Sequence, residues 1–375
     1  MSLYLCVDCG GSKTSAVICD ASGAVVGRAL SGPSNFAYLG VAAFTREVAL
    51  AVSNALKTCT TPPSVAPVAL PPAATPFAQA WFGISGVDSA GAAASASRAL
   101  SALLGLPEGP RLLVANDTHL LAAPLRTHAH LKHAVAVIGG TGAVVVSFGH
   151  TPGGGGGLEA LGRVGGWGWI LGDEGGGFHV GREAVRQLLV DADRGTLGGA
   201  PPPRSVLKER LLARFGLTEE TAMELLTIIH LPDPSPAAVQ PPDAPPHLLV
   251  AREKRLSQLP PLVFEAAFVD GDAFALRVLH ICARTLASQI QVVLRAPNDP
   301  DAPPKSVLAA ESVLCFGGSL VGQARYRDLV LDMLASEGLG GHVFAYVEFL
   351  DDVAKTGAES LALAAQGVEK SNADL

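Results

Sequence analysis

Three stretches concentrate the residue types that do chemistry: DCGGSKT (8–14), VANDTHLLA (114–122) and GGWGWILGDEGGG (165–177). The first looks like half of a phosphate loop because it ends in a Lys-Thr pair. Such a loop needs glycine directly before that pair, so that the backbone wraps the phosphates while the lysine reaches the terminal ones. Here Ser12 precedes Lys13, and the TSAVICD that follows has the β-branched alternation of a strand rather than a helix. The stretch therefore reads as a glycine-rich hairpin between two strands, which on its own is more often a tight turn than a phosphate site.

Asp117 closes the strand-like LLVAND. A carboxylate at a strand end suits a general base, and it equally suits the N-cap of a helix starting at Thr118; spacing alone leaves both open. GWGWILGDEGGG combines flat aromatics, glycines that permit close backbone approach, and the adjacent carboxylates Asp173 and Glu174. That set suits a sugar, whose hydroxyls take bidentate hydrogen bonds while its ring rests on apolar faces. The alternative is Asp173 as a helix cap, with Trp167 and Trp169 in a core. IGGTGA (138–143) repeats the hairpin idea, and CFGGS (315–319) is a strand-to-helix glycine turn of a common kind. Asn35 in GPSNF reads as a turn residue.

Other candidates lead nowhere. His128, His130 and His133 in THAHLKH have i, i+2, i+5 spacing, which does not put three ligands on one helix face, so the stretch reads as a polar connector. Cys6 and Cys9 have C-x-x-C spacing without a second pair, and most of the six cysteines sit in apolar runs. A reducing compartment is expected, without a zinc or iron–sulfur centre.

The elements that must position these residues follow from length and pattern. A chain of 375 residues exceeds the size of one hydrophobic core, so two domains and a cleft between them are expected. LYLCVD, TSAVICD and AVVGRAL form a β-meander; a helix is expected over 41–57, a strand over 80–86, a helix over 91–104, then LLVAND and a further helix. This βββαβαβα order is that of a ribonuclease-H-like half. From about residue 133 the plan restarts. AVAVIGGTGAVVVSFG supplies two strands and GLEALGRVGG a third, helices follow at 176–192, 204–215 and 272–295, and SVLCFGGS, 320–336, HVFAYVEF and 355–368 close the series. The repetition points to an internal duplication. Segments 60–76, 152–157, 232–246 and 296–304 are rich in Pro, Ala or Gly and read as surface insertions.

With 27 Lys+Arg against 34 Asp+Glu the net charge is −7 and no polybasic run occurs, which argues against nucleic acid or an anionic membrane as partner. The start of the chain lacks a basic region and meets Asp8 early, and the longest apolar stretch, 134–148, is broken by glycines. A soluble protein with no export signal is expected.

Taken in order, DCGGSKT, SGPSN, FGISG, VANDTHLLA, IGGTGA, GGWGWILGDEGGG and CFGGSL resemble the motif series of the sugar-kinase, Hsp70 and actin superfamily. More narrowly the chain is similar to the eukaryotic N-acetylglucosamine kinases of the BadF/BadG/BcrA/BcrD ATPase family, from residue 3 to about 366. The resemblance implies an α/β fold of two ribonuclease-H-like (actin-like ATPase) domains with a central cleft. The boundaries are 1–123 and 124–375, with the last helix a candidate to pack back on the N-terminal domain. It implies an ATP-dependent kinase acting on the 6-hydroxyl of N-acetylglucosamine, with Asp117 as general base. The sugar would be held by Asn35, Asp117, Thr141, Trp167, Gly168, Asp173 and Glu174. ATP would be held by Gly10, Gly11, Ser12, Lys13, Gly140, Thr141 and Gly142 at its phosphates and by Gly317, Gly318 and Ser319 at its adenosine, Lys13 being the least essential contact. Asp8 would stand near Mg²⁺ and act through water. Members of the family usually have serine where this chain has Ala143, which removes one hydroxyl donor and leaves the amides. The expected setting is the cytoplasm, with sugar and ATP as partners, and relatives are often homodimers; which hexosamine is preferred stays open. A non-catalytic sugar sensor on the same fold is the alternative. An ATPase that activates a radical enzyme would need paired cysteines that this chain does not place.

Overall fold

The computed structural model describes residues 2–73, 76–128, 130–151, 157–198, 203–235 and 244–373, with side chains to residue 366. Its strands are β1 Leu3–Cys9, β2 Thr14–Cys19, β3 Val25–Ser31, β4 Phe77–Ile84, β5 Leu112–Ala115, β6 His133–Gly139, β7 Ala143–His150, β8 Leu158–Gly165, β9 Ser312–Gly317 and β10 Tyr346–Phe349. The helices are α1 Phe36–Ala55, α2 Ala90–Leu104, α3 Thr118–Leu121, α4 Gly168–Leu171, α5 Gly177–Gly195, α6 Val206–Phe215, α7 Leu225–His230, α8 Arg252–Ser257, α9 Pro260–Phe268, α10 Ala273–Val292, α11 Ala324–Ala335 and α12 Val353–Ala373.

Two five-stranded sheets result, β3-β2-β1-β4-β5 and β8-β7-β6-β9-β10. In each, a three-strand antiparallel meander is extended by two parallel strands, so the second sheet repeats the strand order of the first. The meander, the restart near 133 and the two-half plan are as the sequence pattern leads one to expect.

Both faces of each sheet are covered, and strand alternation distributes the side chains between them. Leu5, Val7 and Cys9 of β1 join Ile18, Phe44, Val48 and Leu100 in one core, while Tyr4 and Cys6 join Leu120, Ala358 and Leu361 in another. In the second sheet Val135, Val137, Leu314 and Phe316 face the large core with α5, α10 and α11, and Ala134, Ala136, Val313 and Cys315 face Leu121, Leu125 and Leu350. A layer formed by α3, the 3₁₀ turn Ala123–Arg126 and α12 therefore lies between the sheets, with α3 contributing Leu120 to one side and Leu121 to the other. α12 lies against β1, where a Cβ on Gly357 would be 3.3 Å from Cys6 Cβ and closer still to its sulfur. Arg28 of β3 pairs with Asp352, whose carboxylate caps α12 by accepting from Lys355 N–H. All six cysteines are free, five of them buried.

Several local expectations need correcting. The first helix begins at Phe36, not 41, because Asn35 caps it, and Gly40 (φ 68°, ψ 171°) breaks it after one turn. This helix is apolar and long enough to span a bilayer by composition, yet its Phe44, Val48, Ala51, Val52 and Ala55 are packed on the first sheet. HVFAYVEF contributes strand only over Tyr346–Phe349. The segment after residue 60 is more than spacer: Val68 exchanges hydrogen bonds with Ser53, and Val68 and Leu70 pack on the first core. Most of the 152–157 and 232–246 insertions lies outside the described residues. Between α6 and α10 the chain forms α7, α8 and α9, which were not foreseen; Pro260 and Pro261 mark the first turn of α9, where proline loses no helical hydrogen bond.

Candidate active site

The hairpin joining β1 to β2 is closed by Gly10 N–H on Lys13 O at 3.0 Å, and its tip, Gly11 to Lys13, is exposed. Directly behind it the chain is locked down. Buried Thr14 donates to Gly32 O (2.7 Å) and meets buried Ser34 at 2.6 Å, while Ser34 N–H donates to Gly10 O. Asp8 is the penultimate residue of β1. Burial, and then the nearby carboxylate of Asp117, push its pKa up to about 6, Lys13 pulling the other way. A carboxylate held in that state gains by receiving a cation, so the donor set fits a divalent ion that takes its remaining ligands from phosphate and water.

Asp117 precedes α3 but does not cap it, its side chain making no bond to the helix. Asn116 does that work: its Oδ1 accepts from Thr118 N–H at 3.0 Å and Thr118 Oγ1 at 2.8 Å, and its Nδ2 donates to Asp88 at 3.0 Å. The Asp117 carboxylate is thereby released from capping, and its Oδ2 accepts a hydrogen bond from the Ser85 hydroxyl. Glycines clear the ground around it. A Cβ on Gly83 would lie 3.2 Å from Asp117 Cα and overlap Leu120, and one on Gly86 (φ +83°) would lie 2.7 Å from Asn35 Oδ1. Asn35 is thus beside the Ser85–Gly86 turn while its Oδ1 accepts from Tyr38 N–H at 3.3 Å; it is a helix cap, not merely a turn residue.

The second hairpin, between β6 and β7, is gripped from behind. Gly140 N–H donates to Gly142 O at 3.0 Å, and the first amides of α5 turn back on it, Gly177 N–H to Gly140 O at 2.8 Å and Phe178 N–H to Thr141 O at 2.9 Å. Thr141 is left exposed at the tip. Asp173, at φ 61° in the left-handed region, lays its carboxylate against this hairpin: a Cβ on Gly142 would sit 2.7 Å from its Cγ. The cap of α5 is Gly176, without a side-chain bond, so Asp173 is no helix cap. Burial, with the charges of Glu253 and Glu174, raises its pKa, the nearby Ala143 amide pulling the other way. The Ala143 methyl is buried in the core.

The tryptophans divide. Trp169 packs on Phe178 at 5.5 Å, whereas Trp167 is 67% exposed at the start of α4, which also shows Ile170 and Leu171 to solvent. Gly165, Gly166 and Gly168 all take positive φ to make this short turn. Glu174 is engaged elsewhere: Arg182 donates to both its oxygens at 2.7 Å, and Gln289 Nε2 donates to its carbonyl at 2.5 Å. His179 Nδ1 accepts from Gly175 N–H (2.9 Å), which leaves Nε2–H to meet Glu174 Oε2 at 3.0 Å; burial holds its pKa down.

Gly318 (φ +106°) lets the turn after β9 rest on the second hairpin, where a Cβ would be 2.7 Å from Gly139 O, and Leu320 and Val321 N–H both donate to that same oxygen. Against this turn lies a cavity of about 580 Å³ lined by Gly140, Thr141, Ser257, Gln258, Pro260, Phe264, Ser319 and Gln323. It is large enough for a nucleoside, with ring-stacking faces from Pro260 and Phe264 and amide edges from Gln258 and Gln323. Sequence reading missed the α8–α9 side of it. The available signal was the apolar spacing of LVFEAAF after a proline pair. A separate cavity of about 330 Å³, lined by Asp191, Lys208 and Arg277, sits at the far end of α5 and takes no part in this constellation. The connector histidines are structural: His128 and His130 pack on Tyr346, and His128 Nε2 lies 3.4 Å from Glu348.

The sequence pattern of the BadF/BadG/BcrA/BcrD ATPase family matches residues 5–348. A Dictyostelium discoideum protein named N-acetyl-D-glucosamine kinase is 27% identical over 297 residues, 78% of this chain and 79% of that protein. Among solved structures, one from Porphyromonas gingivalis, described as a candidate N-acetylglucosamine kinase, aligns over 98% of this chain and 100% of its own with a TM-score of 0.56 at 18% identity. A second of the same description, from Chromobacterium violaceum, covers 97% and 99% with a TM-score of 0.54 at 20% identity. At these identities the structures establish the shared two-domain α/β fold.

Proposed function

The chain belongs to the BadF/BadG/BcrA/BcrD ATPase family, and on that premise we propose that it is an ATP-dependent amino-sugar kinase that phosphorylates the 6-hydroxyl of N-acetylglucosamine. The observation that carries this reading is the Asp117 carboxylate, relieved of helix capping by Asn116, bonded to Ser85 and close enough to Asp8 to raise its pKa. In this reading the bond from the sugar O6 to phosphorus forms as the bond from phosphorus to the leaving diphosphate oxygen breaks, and the O6 proton passes to Asp117. Asn35, Thr141, Trp167, Gly168 and Asp173 hold the sugar, with Glu174 supporting the loop through Arg182 and His179. Amides of the Gly10–Lys13 and Gly140–Gly142 hairpins face the phosphates. The cavity under Gly317–Ser319 takes the adenosine. Mg²⁺, when bound, neutralises phosphate charge, and Asp8 with intervening water is its protein partner. The two domains of the reading are 1–123 and 124–375, with α12 covering the first sheet. Its setting is the cytoplasm, where ATP is supplied, and a homodimer belongs to the same reading.

Replacing Asp117 with Asn is expected to lower kcat by about 10³-fold while sugar binding stays within a few fold. Undiminished turnover in that variant sinks the assignment. A phosphate-acceptor screen with Mg-ATP over N-acetylglucosamine, N-acetylmannosamine, glucosamine and glucose tests the substrate. Sugar binding without product from any of the four favours a sugar sensor instead.

A further inference from the structure

FGISG, unremarkable as a sequence, becomes specific through Ser85. Three hydrogen bonds from this residue reach three parts of the site. Its N–H donates to Cys9 O (3.0 Å) at the base of the first hairpin, its carbonyl accepts from Phe36 N–H (2.9 Å) next to Asn35, and its hydroxyl donates to Asp117 Oδ2. Of its neighbours, Ile84 is buried in the core, while Gly83 and Gly86 have no side chain and no room for one. Among the described residues, Ser85 is the side-chain donor to the Asp117 carboxylate.

We propose that Ser85 is the positioning residue for Asp117. A carboxylate freed from capping rotates about its two side-chain torsions. A hydroxyl fixed on Oδ2 stops that rotation and presents Oδ1 to the incoming sugar hydroxyl, keeping its own proton throughout. The two backbone bonds tie the donor to the first hairpin and to the Asn35 turn, so the base is aligned with the elements that hold phosphate and sugar. Alignment of this sort governs how often the bound pair is in reacting geometry, and so acts on kcat rather than on sugar affinity. The inference rests on the reading of Asp117 as base.

The test is a double-mutant cycle on the full chain with N-acetylglucosamine and Mg-ATP. Ser85→Ala keeps both backbone bonds. It is expected to lower kcat about 10- to 100-fold, the range for losing a hydrogen bond to a charged group, with the sugar KM within about twofold. Ser85→Thr, which restores a hydroxyl, is expected to recover most of the rate. In the Asp117→Asn background, Ser85→Ala is expected to change the residual rate by less than about twofold, since a residue acting through Asp117 has nothing left to position. A full additional loss in the double variant, or a raised KM with unchanged kcat, overturns the positioning role alone. Full activity of Asp117→Asn overturns the base and this inference together. Should Ser85→Ala not fold, Ser85→Cys, near in size and a weaker donor, carries the same expectation.

Discussion

The hairpins at 10–13 and 140–142 occupy equivalent places in two sheets of the same strand order, yet their surroundings differ in kind. Behind the first is a polar knot, Thr14 with Ser34 and Gly32 O, and at its base the half-buried acid Asp8; its tip touches little, a Cβ on Gly11 meeting nothing within 4 Å. Behind the second is apolar core, with Ala143 where the first has Thr14, and the start of α5 is pressed so close that a Cβ on Gly176 would lie 2.6 Å from Gly142 C. The same kind of turn is thus an open, charged loop in one half and a clamped scaffold for Asp173 in the other. A glycine hairpin specifies a shape; the packing behind it specifies whether the shape is free to meet a ligand.

The sharpest way to break this contrast is at the clamp. Gly176 has φ −84°, which alanine adopts freely, so Gly176→Ala acts only through the contact with the Gly142 backbone. A loss of about 3 kcal/mol in urea denaturation is expected, the upper range for overpacking. An unchanged midpoint means that α5 does not clamp the hairpin. Next comes the charge under the first hairpin. Because the folded protein raises the pKa of Asp8 from 3.8 to about 6, ionising it costs stability, and that cost appears as pH rises from about 4 to 6 and stays above it. Asp8→Asn is therefore expected to stabilise the ligand-free protein by roughly 2 kcal/mol at pH 7.5 and by almost nothing at pH 4, while turnover falls. Equal stabilisation at both pH values contradicts the assignment of the strain to this carboxylate. The smallest effect belongs to the open tip. Gly11→Ala should leave the melting temperature unchanged and raise the KM for ATP several-fold, because the added methyl meets only what binds there. An unaltered KM removes the first hairpin from the phosphate site.

Much of this was legible in advance. β1–β3 and β6–β8 declare themselves because apolar alternation with glycine turns has few other solutions, α2 and α10 because their apolar spacing and caps agree, and α5 by its apolar spacing. The α8–α9 wall of the cavity beside Ser319 was hidden: α8 is six residues long and α9 begins at a proline pair after a Pro-rich stretch, so propensity pointed to loop where tertiary contact with α5 stabilises helix. At the site, the residue types of Asp8, Asp117 and Asp173 were visible but their employment was not. Asp117 and Asp173 both sat where a helix cap belongs, and neither caps, because Asn116 and Gly176 take those places. Glu174 looked as available as Asp173 and is held by Arg182 and His179.

By itself, then, the sequence determines the two-half α/β plan and the sites of its glycine turns, since periodicity and turn chemistry act between residues a few positions apart. Only the tertiary structure decides which carboxylates are left for a substrate, because that depends on which neighbours have already been satisfied. Ser85 and Asp117 are 32 residues apart in the chain and share one hydrogen bond, and no local pattern records such a pairing.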